Sequence, residues 1–455
     1  MTFRVLLFNL PPGQGSISPI SLGYIAASLI NQGLDTIIED CAKSKSLKQI
    51  IDLIERFHPQ IVGLSAYQCN MREVLAMAAL TKKINPKIVT VIGGPQTMFM
   101  PKEALLEMPS IDVICKGEGE VVLPALSECI KHKRGMETVK GIAFKKNNVV
   151  VETKQEKLKK NLDDFPSPYQ KGVFNFSDYK VAAMLTSRGC CCNCSFCYTP
   201  RAFQRIVRYH SSQRILEDMN ICIQNNIRRF FFCDPNFTFD KTRAREILDG
   251  IIKEGWDINI WCETRTDLVD KDILTRMAKV GGMEIAYGLE TVDKNVLKVI
   301  NKKLDLEQFK KIVKMTQDLG IKVEVFSVYA LPKQTYKSAC QTLEFLKNNL
   351  SLKILGNSRG QQLSLYFGTD IYDNPEKFGI RIINKQRPLF LSPATEFETE
   401  YMDKHHISLI EARHVMQDVL DKMEMRKKDK KELNNSIISW FPQEYTLTNL
   451  SKIVF

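Results

Sequence analysis

Histidine is scarce in this chain, 6 in 455 residues with none ahead of His58, and no apolar run is long enough to span a bilayer. The first absence leaves the opening loops without an imidazole ligand; the second excludes a membrane-spanning helix. The N-terminus runs directly into a strand pattern, Phe3 to Phe8, without the layout of a secretory signal. Cysteine is plentiful at 13, but Cys41, Cys69, Cys115, Cys129, Cys222, Cys233, Cys262 and Cys340 stand singly. Scattered single thiols are no secreted disulfide framework, so the expectation is a reducing, cytoplasmic compartment. Acid is in the minority, 52 Asp and Glu against 64 Lys and Arg, for a net charge of +12. The surplus is mostly scattered lysine, densest from Arg426 to Lys431, and reads as solvated helix face rather than a nucleic-acid surface. Hydrophobic content of 44% marks a globular protein, and the length suggests two or three domains.

One stretch departs from that background: Cys190-Cys191-Cys192-Asn193-Cys194-Ser195-Phe196-Cys197, after Thr186-Ser187-Arg188-Gly189. Cys190, Cys194 and Cys197 have the spacing C-x3-C-x2-C, with an aromatic residue before the last. Soft thiolates grouped on one loop select an iron–sulfur cluster. Such a cluster ordinarily takes four cysteines, and no fourth lies at matching spacing, so one iron is left open to a ligand that is not protein. Two other readings stand beside this one. Cys191, Cys194 and Cys197 form a ferredoxin-like C-x2-C-x2-C run, and zinc is an alternative although paired C-x2-C halves are missing. We take Cys190, Cys194 and Cys197 as the ligands and Cys191 and Cys192 as bystanders.

Residues 3 to 132 alternate strand patterns (4–10, 36–39, 61–65, 88–92, 113–115) with amphipathic helices (22–31, 47–56, 72–83). That alternation predicts a parallel sheet wound on both faces, with ligands beyond the carboxyl ends of its strands. The loops there are rich in glycine and proline: Pro11-Pro12-Gly13-Gln14-Gly15, Gly93-Gly94-Pro95-Gln96-Thr97 and Lys116-Gly117-Glu118-Gly119-Glu120. Glycine admits the backbone close to a large ligand, although tight turns of any α/β domain look the same. Residues 135–180 read as a connector, with a hairpin turn at Asn147-Asn148 and a proline-punctuated crossing from Asp163 to Tyr169.

A second series begins at Val181, with strands at 182–186, 229–233, 258–263, 284–289, 323–330 and 362–367 separated by amphipathic helices. Six strands with their crossovers predict a partial barrel whose active site lies at the strand carboxyl ends. The cysteine loop follows the first of them. Asp234 ends the second strand, Glu263 and Arg265 the third, and Glu290 the fourth. Arg265 suits a bidentate grip on a carboxylate. Asp234 reads equally well as a cap or loop residue, and Arg265 with Glu290 as an internal ion pair. His210 reads as solvent-facing and His405-His406 as a surface pair. Helical periodicity at 408–425 makes the final segment mostly helical. The expected boundaries are 1–134, 135–180, 181–368 and 369–455.

The cysteine spacing and the strand-end acids resemble the signature of the radical S-adenosylmethionine (SAM) enzymes. The first domain, with Pro11-Pro12, Ser21-Leu22-Gly23-Tyr24, Gly93-Gly94-Pro95 and Gly117-Glu118-Gly119-Glu120, resembles the cobalamin (B12)-binding domain fused to many of them. The resemblance implies an α/β chain: a doubly wound, Rossmann-like cobalamin domain, then a TIM-like partial (β/α)6 barrel. It also implies three cofactors. A [4Fe–4S] cluster would sit on Cys190, Cys194 and Cys197, and SAM would meet Phe196, Asp234, Arg265 and Glu290. Cobalamin would meet Pro12, Gly13, Ser65, Gly93, Gly94, Gly117 and Glu118. Three departures stand out. The cobalamin signature D-x-H-x-x-G is absent, with Asn9, Pro11 and Gln14 in its place. Pro235-Asn236 replaces a second aspartate after Asp234, and the fifth-strand G-L-P-G-E-T reads Ala330-Leu331-Pro332-Lys333-Gln334-Thr335.

The implied reaction is methyl transfer to an unactivated carbon or phosphorus centre by way of a 5′-deoxyadenosyl radical. The substrate would be a small molecule or a peptide, and a low-potential donor such as flavodoxin or ferredoxin would supply electrons. The rivals are a radical SAM cyclase, ring-rearranging enzyme or mutase with cobalamin as electron relay or absent, and a non-enzymatic iron–sulfur electron-transfer or sensor protein. A methylthiotransferase is discounted, since Cys41, Cys69 and Cys115 lie far apart in sequence.

Overall fold

The computed structural model describes residues 2–11, 15–41, 45–147, 149–349, 361–394 and 396–399. They divide into two units, one holding residues 1–180 with Gln386–Ser392 and one holding Val181–Lys385 with the residues from Pro393.

The first unit carries strands β1 (Arg4–Asn9), β2 (Asp35–Asp40), β3 (Ile61–Ser65), β4 (Val89–Gly93), β5 (Val113–Cys115), β6 (Ile142–Lys146) and β7 (Val149–Glu152) in the order β2-β1-β3-β4-β5-β6-β7. Strands β1 to β5 are parallel. Val5, Leu6, Leu7 and Phe8 are all buried, as a central strand covered on both faces requires. The helices are α1 (Ile20–Asn31), α2 (Leu47–Phe57), α3 (Met71–Ile84) and α4 (Gly119–Lys131). Helix α2 opens on a capping box: the Ser46 hydroxyl accepts from the Gln49 amide, and the Gln49 side chain accepts from the Ser46 amide. The chain runs out from β1 to β2 and returns to β3 on the other side, so the order reverses beside β1, where such sheets open a crevice.

The segment expected to be a connector packs on this unit. Its hairpin, β6 and β7, adds antiparallel to β5 and covers that sheet edge. Tyr169 bonds Ser18 at 3.1 Å, and Phe174 lies so close over α1 that a Cβ on Gly23 would stand 2.3 Å from it.

The second unit carries β8 (Ala182–Met184), β9 (Ser187–Arg188), β10 (Arg208–Tyr209), β11 (Arg229–Phe232), β12 (Ile258–Thr264), β13 (Gly281–Glu290), β14 (Lys322–Tyr329) and β15 (Gln361–Gln362). Six of them form one parallel sheet in the order β15-β14-β13-β12-β11-β8, and β9 pairs with β10 apart from it. Crossovers are made by α5 (Thr199–Ala202), α6 (Ser212–Gln224), α7 (Lys241–Glu254), α8 (Lys271–Val280), α9 (Lys294–Val299), α10 (Leu306–Asp318) and α11 (Tyr336–Asn349). Ser211, Asp240, Asp270 and Asp305 cap four of these helices through their side-chain oxygens.

The sixth strand is shorter than its sequence pattern suggests, two residues against an expected 362–367. Beyond it lie a short helix, Asp370–Asp373, and an antiparallel pair, Ile380–Ile382 with Phe397–Thr399, where helix was expected. The helical pattern at 408–425 and His405-His406 fall outside the described residues. No helix among the described residues is long and apolar enough to cross a membrane.

Candidate functional site

The cysteine loop leaves β9 through a backbone that only glycine accommodates. Gly189 has φ of +97°, and a Cβ there would stand 2.1 Å from the Ile206 carbonyl oxygen. The loop is then pinned along its length. The Cys197 amide donates to the Cys194 carbonyl (3.2 Å), the Ser195 amide to Ile300 (2.9 Å), and the Ile371 amide to Ser195 (3.2 Å). Asn193 is held from outside: its side-chain oxygen accepts from Arg205 (2.7 Å) and its carbonyl from the Asn301 amide group (3.0 Å).

The thiols stand close enough to perturb one another. Cys192 hydrogen-bonds with Cys190, which raises the Cys190 thiol, with burial adding to the effect. Cys192 itself is lowered to about 6 by that bond and, less strongly, by the Arg265 charge. Burial pushes Cys194 up to about 11 and also raises Cys197. Burial thus favours the thiol form at all three positions, and metal binding there would release protons. Among the described residues, no three His, Cys, Asp or Glu side chains close round a single ion.

Of the residues expected to meet SAM, Asp234 is engaged from both oxygens. One accepts from the Ser187 hydroxyl (2.6 Å) and amide, the other from the Thr186 hydroxyl (2.9 Å). It is buried, which raises its pKa despite the Arg243 charge and these bonds. Asp234 thus ties the end of β11 to the backbone that enters the cysteine loop. Arg265 grips Asp267 with two bonds of 2.8 Å and donates to the Lys303 carbonyl. Glu290 pairs with Lys302 at 2.7 Å, both side chains more than nine-tenths buried. The internal ion pair is therefore Glu290 with Lys302 instead of Glu290 with Arg265. Glu290 has φ of +63° at a register shift between β13 and β14, a backbone that points its side chain away from the run of the strand.

Phe196 and Ala330 both pack against an apolar cluster that includes Val296, Leu331 and Leu365. Ala330 and Lys333 both have φ of +60°, so the loop keeps a glycine-like backbone where the glycines are missing. Gln334 closes it, accepting from the Leu331 amide at 3.2 Å, while its own buried amide nitrogen has no partner among the described residues.

Two features escaped the sequence reading. Asn236, read as a departure, donates to the Cys190 sulfur at 3.7 Å. On the inner face of the sheet, Glu263 and Glu324 flank Ala286 on adjacent strands, with Trp261 donating to Glu324 at 3.2 Å and stacked on Phe231 at 4.5 Å. Burial, reinforced by Glu290, lifts Glu263 to about 7; burial, reinforced by Glu284, lifts Glu324 to about 8. The signal for Glu324 was the polar alternation Lys322-Val323-Glu324-Val325 inside a strand. One expectation is corrected: His210 is fully buried, its carbonyl accepting from Arg243 at 2.8 Å, because β10 carries it beneath α7.

At the carboxyl ends of β3, β4 and β5, Ser65, Gly93, Gly94, Gly117 and Glu118 occupy neighbouring positions in the first unit. Gly94 has φ of +117°, and a Cβ would meet the Ala66 oxygen at 2.8 Å. Pro12 and Gly13 lie outside the described residues. Glu73, in the first turn of α3, has a buried carboxylate oxygen without a partner, an acceptor suited to the amide groups that fringe a corrin. His58 caps the far end of α2, before β3, so it gives no histidine to this end of the sheet. Three thiols with an incomplete ligand count fit a cluster with one open iron, and the unpartnered Gln334 amide fits a ligand bearing ring-nitrogen acceptors.

Comparison with known proteins gives two family matches, the B12 binding domain over residues 13–127 and the Radical SAM superfamily over residues 184–346. The chain is 28% identical to an uncharacterized methyltransferase of Pyrococcus horikoshii, over 76% of this chain and 78% of that one. It is 27% identical to the anaerobic magnesium-protoporphyrin IX monomethyl ester cyclase of Rubrivivax gelatinosus, over 73% and 62%. Its fold matches the radical S-adenosylmethionine methyltransferase TsrM of Kitasatospora setae, solved with cobalamin and a [4Fe-4S] cluster, with TM-score 0.74, 16% identity and coverage of 94% and 90%.

Proposed function

The chain belongs to the cobalamin-dependent radical SAM enzymes, and from that premise we propose that it transfers a methyl group to an unactivated carbon or phosphorus centre of a small molecule or peptide. When bound, the cluster and SAM supply the carbon radical that opens the substrate, and cobalamin supplies the route for the methyl group. The observation that carries the reading is a three-thiol loop at the end of a barrel strand, in a chain that also has a B12 binding domain.

Within this reading Cys190, Cys194 and Cys197 hold the cluster, and Asn236 places a hydrogen bond on one sulfur. Asp234 fixes the approach to the loop rather than offering a free oxygen. Arg265 and the Glu290–Lys302 pair line the polar side of the SAM site. Phe196 and the Ala330–Gln334 turn form its apolar side, with the Gln334 amide as a donor. Ser65, Gly93, Gly94, Gly117 and Glu118, with Pro12 and Gly13, bound the corrin. A low-potential flavodoxin or ferredoxin supplies the electrons, in the cytoplasm.

Anaerobic reconstitution with iron, sulfide and cobalamin, followed by optical spectra and mass analysis of SAM products, tests this. Both 5′-deoxyadenosine and S-adenosylhomocysteine are expected. Deoxyadenosine alone would favour the second reading, cyclisation, which the similarity to a cyclase keeps in view. Neither product would overturn both.

A further inference from the structure

The cysteine loop has one outward-facing stretch. Cys191 and Asn193 are exposed, whereas Cys190 is buried and Cys194 and Cys197 are half-buried. Asn193 is joined by a single peptide bond to Cys194. It is also the best-braced exposed residue of the loop, held by Arg205 on one side and Asn301 on the other. Arg205 has a left-handed backbone with φ of +58°, unusual for an arginine, and Asn301 one with φ of +53°, which asparagine adopts readily.

Among the described residues, the exposed charges around Asn193 that face no opposite charge are cationic. Arg205 is exposed on the β9–β10 side. On the other side α9 ends against the loop, since Ile300 accepts from the Ser195 amide. Lys294 and Lys298 share the exposed face of α9 one turn apart, and Lys303 is exposed just beyond it. The nearby acids are each engaged: Asp267 with Arg265, Asp370 with Lys377 and Asp373 with Arg201, while Asp293 and Asp305 keep their charge against the N-termini of α9 and α10. Ile206, 49% exposed beside Arg205, gives the rim an apolar contact.

We propose that this cationic rim, Arg205, Lys298 and Lys303 around Asn193, is the docking face for an acidic, low-potential electron-carrier protein. The inference rests on the proposed function, which makes the loop a cluster site that must be reduced. One electron passes from the carrier, a flavodoxin hydroquinone, to the cluster; the carrier is oxidised by one electron, and no bond is made or broken. Opposite charge brings such partners together at rates 10- to 1000-fold above the neutral case, on the order of magnitude seen for steered association.

The test uses the full chain, reconstituted with its cluster, and follows cluster reduction directly by anaerobic stopped-flow absorbance, so no substrate is needed. The K298E/K303E double variant replaces two lysines whose side chains hold nothing in the loop. With reduced flavodoxin, its second-order reduction rate is expected to fall about tenfold at low salt, with the gap closing as salt is raised. Reduction by dithionite, which needs no protein docking, is expected to be unchanged. An unchanged flavodoxin rate would overturn the proposal, as would an equal loss with both reductants. K294E, on the same exposed face of α9, provides a second reading with the same two-reductant comparison. Failure of the wild-type chain to hold a cluster would instead count against the proposed function itself.

Discussion

Replacing Glu324 by glutamine removes one proton-binding site from the sheet's inner face while keeping the side chain's shape and an oxygen for Trp261. Burial, with the Glu284 and Glu263 charges, raises this carboxyl from 4.5 to about 8. Between those values the folded chain holds a proton that the unfolded chain has released. Stability is therefore complete below the unfolded value, falls as pH rises through this window, and levels off above the folded value. One such proton corresponds to about 1.4 kcal/mol per pH unit, or about 2.7 kcal/mol across two units. Glu324→Gln has no proton to lose, so relative to wild type it should gain stability by up to that amount between pH 5.5 and 7.5. Guanidinium unfolding of the cofactor-free protein, followed by tryptophan fluorescence, reads it out, since Trp256 and Trp261 both lie in the second unit. Titrating groups remote from Glu324 are common to both proteins and drop out of the difference, while Glu263 and Glu284, which are coupled to it, do not cancel fully. Parallel stability–pH curves for the two would refute a carboxyl held protonated in the sheet interior.

Three further outcomes are expected. Asn236→Leu removes a hydrogen bond from the Cys190 sulfur; at about 1 kcal/mol for such a bond, the one-electron cluster potential should fall by roughly 40 mV, as read by potentiometric EPR. Gly189→Ala forces a Cβ against the Ile206 oxygen, so the reconstituted protein should hold much less iron than wild type while its far-UV circular dichroism stays near normal. Lys302→Met leaves Glu290 charged and buried, which should cost roughly 3 to 5 kcal/mol, and adding Glu290→Gln should restore most of it in a double-mutant cycle by chemical denaturation.

Much of this architecture was legible because its signals are periodic and local. The run Val5 to Phe8 and the alternation of strand and helix announce two parallel β/α series. The thiol loop was legible because three cysteines at fixed spacing have few other uses. Partnerships across the sheet were not. Whether Glu290 meets Arg265 or Lys302 is decided by a bulge at the end of β13, and nothing in the sequence fixes that register shift. Asp234 reads as an offered carboxylate until the fold places Thr186 and Ser187 over it. His210 looked exposed because a lone histidine in a short loop usually is, but tertiary packing beneath α7 decides its burial.

The first unit is also discontinuous along the chain. Gln68 and Gln96, after β3 and β4, bond each other, and they bond the backbone of Ser392 and Phe390 at 3.1 and 2.9 Å. Leu389 donates to Glu107 at 2.7 Å. These partners emerge from the ribosome 392 − 180 = 212 residues after the unit's main body is made. At about 5–20 residues per second, the nascent sheet waits roughly 10 to 40 s with the two glutamines bonded to each other but lacking their backbone partners. The N-terminal unit is thus finished only after most of its neighbour has been synthesised, and a fragment ending at Lys180 would stay in that unfinished state.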